Sequence, residues 1–111
     1  VLAGEEHSAN HLIRYGVRAE QAGFSFLFVS DHFHPWNRSQ GHSSSVWPVL
    51  GALATATLKT TLISAVTCPI QRLHPTLLAQ AAATVQNLSE GRFVLGLGTG
   101  ESLNEHVAGP W

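Results

Sequence analysis

Phe24-Ser25-Phe26-Leu27-Phe28-Val29-Ser30, followed at once by Asp31-His32-Phe33-His34-Pro35-Trp36, is the stretch on which the fold turns. The first half is a short apolar run rich in aromatic and branched residues, which suits a strand buried on both faces. The second half changes character within one residue. A carboxylate, two imidazoles and an indole leave the strand together, and the polar, Gly-containing tail to Ser45 reads as a long loop at its C-terminal end. Loops of this length tend to carry function.

Working outward, Leu12, Ile13, Gly16, Val17 and Ala19 fall at near-helical spacing before this strand, with Ser8 a candidate N-cap and Gly23 closing the helix. Val1-Leu2-Ala3 reads as the tail of an earlier strand. After the loop, Val46, Val49, Leu50, Leu53, Ala54 and Thr57 mark one helical face, with Pro48 in the first turn. Thr60 to Thr67 is a β-branched strand broken by Cys68-Pro69. Pro75 starts a third helix whose face is Leu77, Leu78, Ala81, Ala82, Val85 and Leu88, ending at Gly91. Arg92 to Leu97 is then another buried strand. Strands and helices alternate at roughly 30 to 35 residues per unit, which predicts an α/β protein with parallel strands and crossover helices. Periodicity leaves two architectures open, a doubly wound sheet and part of a closed barrel, and both place a site at the strands' C-terminal ends.

Composition narrows the partners. The chain has 111 residues, 44% of them apolar, enough for a core but short of a complete eight-stranded barrel. A formal net charge of −1 with six basic residues gives no footprint for nucleic acid or an anionic membrane. No apolar run reaches the roughly 18 to 20 residues a membrane span needs. One cysteine, Cys68, excludes an internal disulfide, and no signal-peptide pattern is present, so a reducing cytosol fits. Both ends read as cut, with Gly109-Pro110-Trp111 closing no element, and no domain linker interrupts residues 1–111.

Three constellations carry chemistry. His32 offers an imidazole able to act as acid or base, and Asp31 beside it is placed to fix its tautomer or to bind a ligand hydroxyl; the plain alternative is a capped turn with partly exposed histidines. His32 and His34, one residue apart, also suggest a metal chelate, but a zinc site needs a third protein ligand that the sequence does not display, and no metal ligand is assigned. Gly96-Leu97-Gly98-Thr99-Gly100-Glu101 follows the last strand. Its glycines, Gly98 among them, let backbone N–H groups approach a ligand, while Glu101 and Asn104 open the next segment. The loop also has the look of nucleotide or S-adenosylmethionine loops of Rossmann-like folds, and of a simple strand-end turn. Cys68 beside Pro69 reads as a small buried hydrophobe rather than a nucleophile. His74 reads as the turn into the third helix, and His7, His11 and His106 show no partner.

Taken together, Ser30-Asp31-His32-Phe33-His34-Pro35-Trp36, Ala65-Val66-Thr67-Cys68-Pro69, His74-Pro75 and Gly96-Leu97-Gly98-Thr99-Gly100-Glu101-Ser102-Leu103-Asn104-Glu105-His106 resemble the F420-dependent glucose-6-phosphate dehydrogenase family, within the luciferase-like superfamily. The likeness runs from about Glu5 to Trp111. It implies roughly the first four β/α units of a (β/α)8 TIM barrel, usually a homodimer, with coenzyme F420 in the cavity at the strand ends. By motif, Asp31 matches a coenzyme-binding aspartate, His32 the active-site histidine, Trp36 a site tryptophan, Glu101 a catalytic glutamate, Asn104 a coenzyme contact and Glu5 a further site glutamate. The same resemblance puts a non-proline cis peptide at Ala65-Val66, with a bulge that supports the deazaflavin. Cys68 stands where the glucose-6-phosphate enzyme has a coenzyme-contacting threonine, so that hydroxyl contact is lost or replaced.

The chemistry this implies is oxidation of an alcohol or sugar-phosphate hydroxyl carbon. His32 takes the hydroxyl proton while hydride leaves the same carbon for F420; Asp31 and Glu101 support the charge changes, and Trp36 shapes the pocket. Two other readings differ in coenzyme or class: an FMN-dependent luciferase-like monooxygenase, and a non-catalytic F420 carrier.

Overall fold

The computed structural model describes residues 1–109; readings that fall on Pro110 and Trp111 lie outside the described residues. Helix α1 (Ala9–Gln21) precedes strand β1 (Phe26–Val29), followed by α2 (Val46–Ala56), β2 (Thr61–Thr67), α3 (Pro75–Leu88), β3 (Phe93–Leu97), the single turn α4 (Ser102–Glu105) and a 3-10 turn at His106–Ala108. The strands pair in sequence order, β1 with β2 and β2 with β3, all parallel. Leu2 bridges Val29 in the same direction, so the expected earlier strand is present as one residue pair. Ser8 is the N-cap of α1, though its hydroxyl caps nothing, and Pro48 lies in the first turn of α2 as its fixed φ allows.

All three long helices pack on one face of this sheet. Leu27, Val29, Leu62 and Phe93 point toward them and join Leu12, Leu50, Leu53 and Val85 in one buried cluster. Each such side chain contributes about 1.5–3 kcal/mol on burial. The sheet's other face lies open, with Phe26 and Val94 exposed at 54% and 49%. This corrects the expectation that the strands over 24–30 and 92–97 are buried on both faces. The second face of a barrel strand is covered only by strands across the barrel, which these residues do not include. Strand order without reversal and helices on a single side match a barrel wall and not a doubly wound sheet. The expected face of α3 is also narrower: Leu78 and Val85 are buried, whereas Leu77 and Leu88 stand exposed.

Two charged side chains tie the N-terminal ends of the strands. Arg92, opening β3, donates to the carbonyls of Ala54, Thr57 and Thr60 and to Thr57 Oγ1 at 2.7–3.1 Å, satisfying the end of α2. Glu20 accepts from the backbone N–H groups of Leu58, Lys59 and Thr60 at 2.8–3.1 Å. Burial works to raise the Glu20 carboxyl, but these backbone donors outweigh it and lower the pKa from 4.5 to about 2. A carboxyl with a depressed folded pKa contributes stability that is present above its unfolded value and is lost as pH falls through the folded one. Acid unfolding of wild type should therefore steepen below pH 4.5, and Glu20→Gln should flatten that dependence while leaving a lower denaturant midpoint at neutral pH. Equal slopes in the two proteins would refute the role. Among the described residues, no helix is long and apolar enough to cross a membrane.

Candidate active-site cleft

The C-terminal ends of the strands carry the opposite chemistry. Asp31, His32, Val66, Cys68, Gly98, Glu101 and Asn104, drawn from three separate strand ends and α4, line one cleft of ≈ 270 Å³. Ala65 sits beside it on the other side of a cis peptide to Val66, and the β2–β3 register shifts between Ser64 and Thr67, giving the bulge expected there. Gly96 and Gly98 permit this close packing. A Cβ on Gly96 would stand 2.1 Å from the Ser64 carbonyl oxygen, and one on Gly98 would stand 2.6 Å from Val66 Cγ2 and 3.2 Å from Cys68 Sγ.

His32 is held from below. Its Nδ1 pairs with Glu5 Oε1, and Glu5 Oε2 accepts from Ser30 Oγ at 3.0 Å. Glu5 is 4% exposed. Its burial raises the carboxyl pKa, yet the hydrogen bonds from His32, its own backbone and Ser30 outweigh that and keep it below the ordinary carboxylate range. Glu5 therefore fixes the tautomer, with Nδ1 carrying the proton toward the carboxylate and Nε2 left as the basic nitrogen. No hydrogen bond among the described residues engages Nε2. Of the two tasks the sequence offers Asp31, fixing the tautomer falls to Glu5 instead, because neighbours in an extended segment point to opposite sides. The Trp36 ring stands edge-on to His32 at 4.9 Å between centroids, half exposed. His34 turns away, stacking on His106 at 5.5 Å, while its backbone N–H donates to Asn104 Oδ1 at 2.6 Å. The two imidazoles of the proposed chelate thus face different neighbours.

Glu101 caps α4. Its carboxylate accepts from the N–H of Leu103 at 2.6 Å and of Asn104 at 3.1 Å, and from the Asn104 amide. Desolvation pushes its pKa up; the Asn104 amide, these N–H groups and the nearby His32 outweigh it and lower the pKa. Asn104, 1% exposed, bridges Glu101 to the β1 loop. Cys68 is a free, partly buried thiol whose pKa burial raises, with Glu105 and Asp31 adding to the rise and Arg72 opposing it. His74 caps α3, its Nδ1 accepting from the Thr76 N–H at 3.2 Å. His7 and His11 flank Tyr15, away from the cleft.

Sequence reasoning missed Arg72, Glu105 and Ser30. Arg72 binds Asp31 and Glu105 together. Its only sequence signal was a lone cation in the loop after β2, opposite a carboxylate-rich segment.

A sequence profile described as luciferase-like monooxygenase matches residues 2–110, and the chain belongs to that family. Its members within reach are more particular. The chain is 46% identical over 110 residues to the F420-dependent glucose-6-phosphate dehydrogenase of Beutenbergia cavernae, covering 98% of this chain and 33% of the relative. It is 44% identical over 108 residues to the F420-dependent hydroxymycolic acid dehydrogenase of Mycobacterium tuberculosis, covering 97% and 30%. Among solved structures, an F420-dependent secondary alcohol dehydrogenase in complex with an F420-acetone adduct superposes with TM-score 0.94 at 36% identity, over 99% of this chain and 34% of that one. The chain spans about a third of the length of these relatives, and its sheet and helices form the corresponding part of a luciferase-like barrel.

Proposed function

We propose that the complete barrel built on this segment is an F420-dependent dehydrogenase oxidising the CH–OH carbon of an alcohol or sugar phosphate, in the cytosol and as a homodimer. The observation that carries the reading is His32 on the cleft, its Nδ1 fixed by the buried Glu5 carboxylate. The three F420-dependent relatives support the coenzyme and the class of donor.

The residues fit a deazaflavin. A flat ring system needs a close-packed wall, and the glycine at 98 lets Val66 and Cys68 pack where a Cβ would otherwise stand, 2.6 Å from Val66 Cγ2 and 3.2 Å from Cys68 Sγ. It also needs polar partners at its edge, which Asp31 and Asn104 supply, with Ala65 and Cys68 beside Val66 on the β2 side. When bound, F420 supplies the acceptor for a hydride. His32 Nε2 accepts the substrate hydroxyl proton as the carbon loses its hydride, and Glu5 stabilises the imidazolium that forms. Glu101, held ionised by its cap, adds negative charge near that imidazolium. Trp36, its ring edge-on to His32, borders the substrate side and shapes the pocket there.

The test is F420 reduction by the complete protein with a panel of secondary alcohols and sugar phosphates, followed by loss of the deazaflavin's visible absorption. Turnover with one of them is expected. Oxygen uptake with reduced FMN would establish the monooxygenase reading instead, and F420 binding without bleaching by any donor would establish a carrier.

A further inference from the structure

We propose that Arg72 is a positioning residue that sets the width of the coenzyme cleft by clamping its two sides together; the inference rests on the reading that this cleft holds the deazaflavin. The guanidinium divides its donors between two elements. Nη1 reaches Asp31 Oδ1 at 3.3 Å and Nη2 the Asp31 carbonyl at 3.2 Å, at the end of β1. Nε reaches Glu105 Oε1 at 3.0 Å, in α4. Asp31 lines the cleft from one side; Glu101, Asn104 and Glu105 line it from the other. The one further bond between these sides is His34 N–H to Asn104 Oδ1, so Arg72 supplies the only charged link between them among the described residues.

Burial and backbone agree with that role. The side chains of Arg72, Asp31 and Glu105 are 15%, 11% and 2% exposed, so the pairing is shielded from solvent. Arg72 is delivered by a loop with a left-handed backbone at Ile70, φ 89°, a conformation that a β-branched residue rarely adopts. That loop closes by Ile70 N–H to the Leu73 carbonyl at 3.0 Å. Ile70 itself is exposed, so its own packing does not account for the geometry. Among the described residues, Glu105 Oε2 is buried without a hydrogen-bond partner, and Arg72 is the one cation paired with this carboxylate. A planar fork with fixed donors suits three acceptors on two elements; a lysine ammonium does not span them.

The proposal is tested in the complete protein with Arg72→Gln and Arg72→Lys, reading F420 Kd by fluorescence and the alkylation rate of Cys68 as a function of pH by peptide mass spectrometry. Arg72→Gln is expected to raise Kd by about tenfold to a hundredfold, as misplacement of a binding wall does. The pH midpoint of Cys68 alkylation should rise, because Arg72 opposes the upward push of burial, Glu105 and Asp31 on the thiol, and its limiting rate at high pH should rise as well, because the opened cleft exposes the sulfur that lines it. A merely structural role would leave the pH midpoint unchanged. Arg72→Lys should restore the midpoint and only part of the affinity. Wild-type Kd in Arg72→Gln, or an unchanged limiting rate, overturns the proposal. Should Arg72→Gln fail to fold, wild-type Kd in Arg72→Lys overturns it equally. If the wild-type protein binds no F420, the functional reading fails, and the alkylation rates still decide whether Arg72 governs this cleft.

Discussion

His32→Ala in the complete enzyme is expected to lower kcat for alcohol oxidation by about 10²- to 10⁴-fold, the range that a positioned proton acceptor supplies. The imidazole lies on the cleft and its Nδ1 is committed to Glu5. Removing the ring leaves the substrate hydroxyl proton without an acceptor at the moment hydride departs. F420 affinity should change far less, since Asp31, Asn104 and the wall at Val66 and Gly98 remain. Glu5→Gln should follow the same direction with a smaller loss, because an amide still accepts from Nδ1–H but no longer offsets the imidazolium charge. Stopped-flow measurement of deazaflavin reduction separates this step from product release. A wild-type rate in His32→Ala would remove it from the chemistry.

Gly96→Ala is expected to destabilise the protein by about 3 kcal/mol or more, at or beyond the upper end for overpacking. The added methyl would meet the Ser64 carbonyl oxygen at 2.1 Å, a backbone atom that cannot swing aside. Ser64 Oγ here takes the Gly96 N–H at 3.1 Å and returns a bond to its carbonyl at 3.3 Å, so strands β2 and β3 are locked together at this point. Parting them would also displace the bulge that carries Val66 and Cys68 into the cleft, and coenzyme affinity should fall along with the denaturant midpoint. Gly41→Ala, with nothing within 4 Å of the added carbon, is the control and should be near neutral. Equal midpoints for the two variants would contradict the packing argument.

The contrast between these residues shows where sequence suffices. Leu12, Leu50, Leu53 and Val85 announce their helices by spacing, and the β-branched run to Thr67 announces its strand, because local periodicity and burial coincide there. Phe26 and Val94 mislead, since an apolar run reads the same whether its second face meets helices or the far side of a barrel. Asp31 and His32 are adjacent in sequence, yet their side chains diverge to Arg72 and Glu5, residues 41 and 27 positions away. Periodicity carries no information at such separations. Only the ordered motifs around Asp31-His32, Val66 and Glu101 pointed to one site, and they gave its members without their bonds.

A cleft built for a deazaflavin should make the complete protein selective for F420 over FMN. Titration with F420 and with FMN, each followed by fluorescence, is expected to give saturable binding of F420 and at least tenfold weaker binding of FMN, a gap of about 1.4 kcal/mol. Gly98→Val, whose side chain would collide with Val66 and Cys68, should weaken F420 binding by displacing that wall. Preferential binding of FMN, or wild-type F420 affinity in Gly98→Val, would mean that the cleft is not shaped for a deazaflavin.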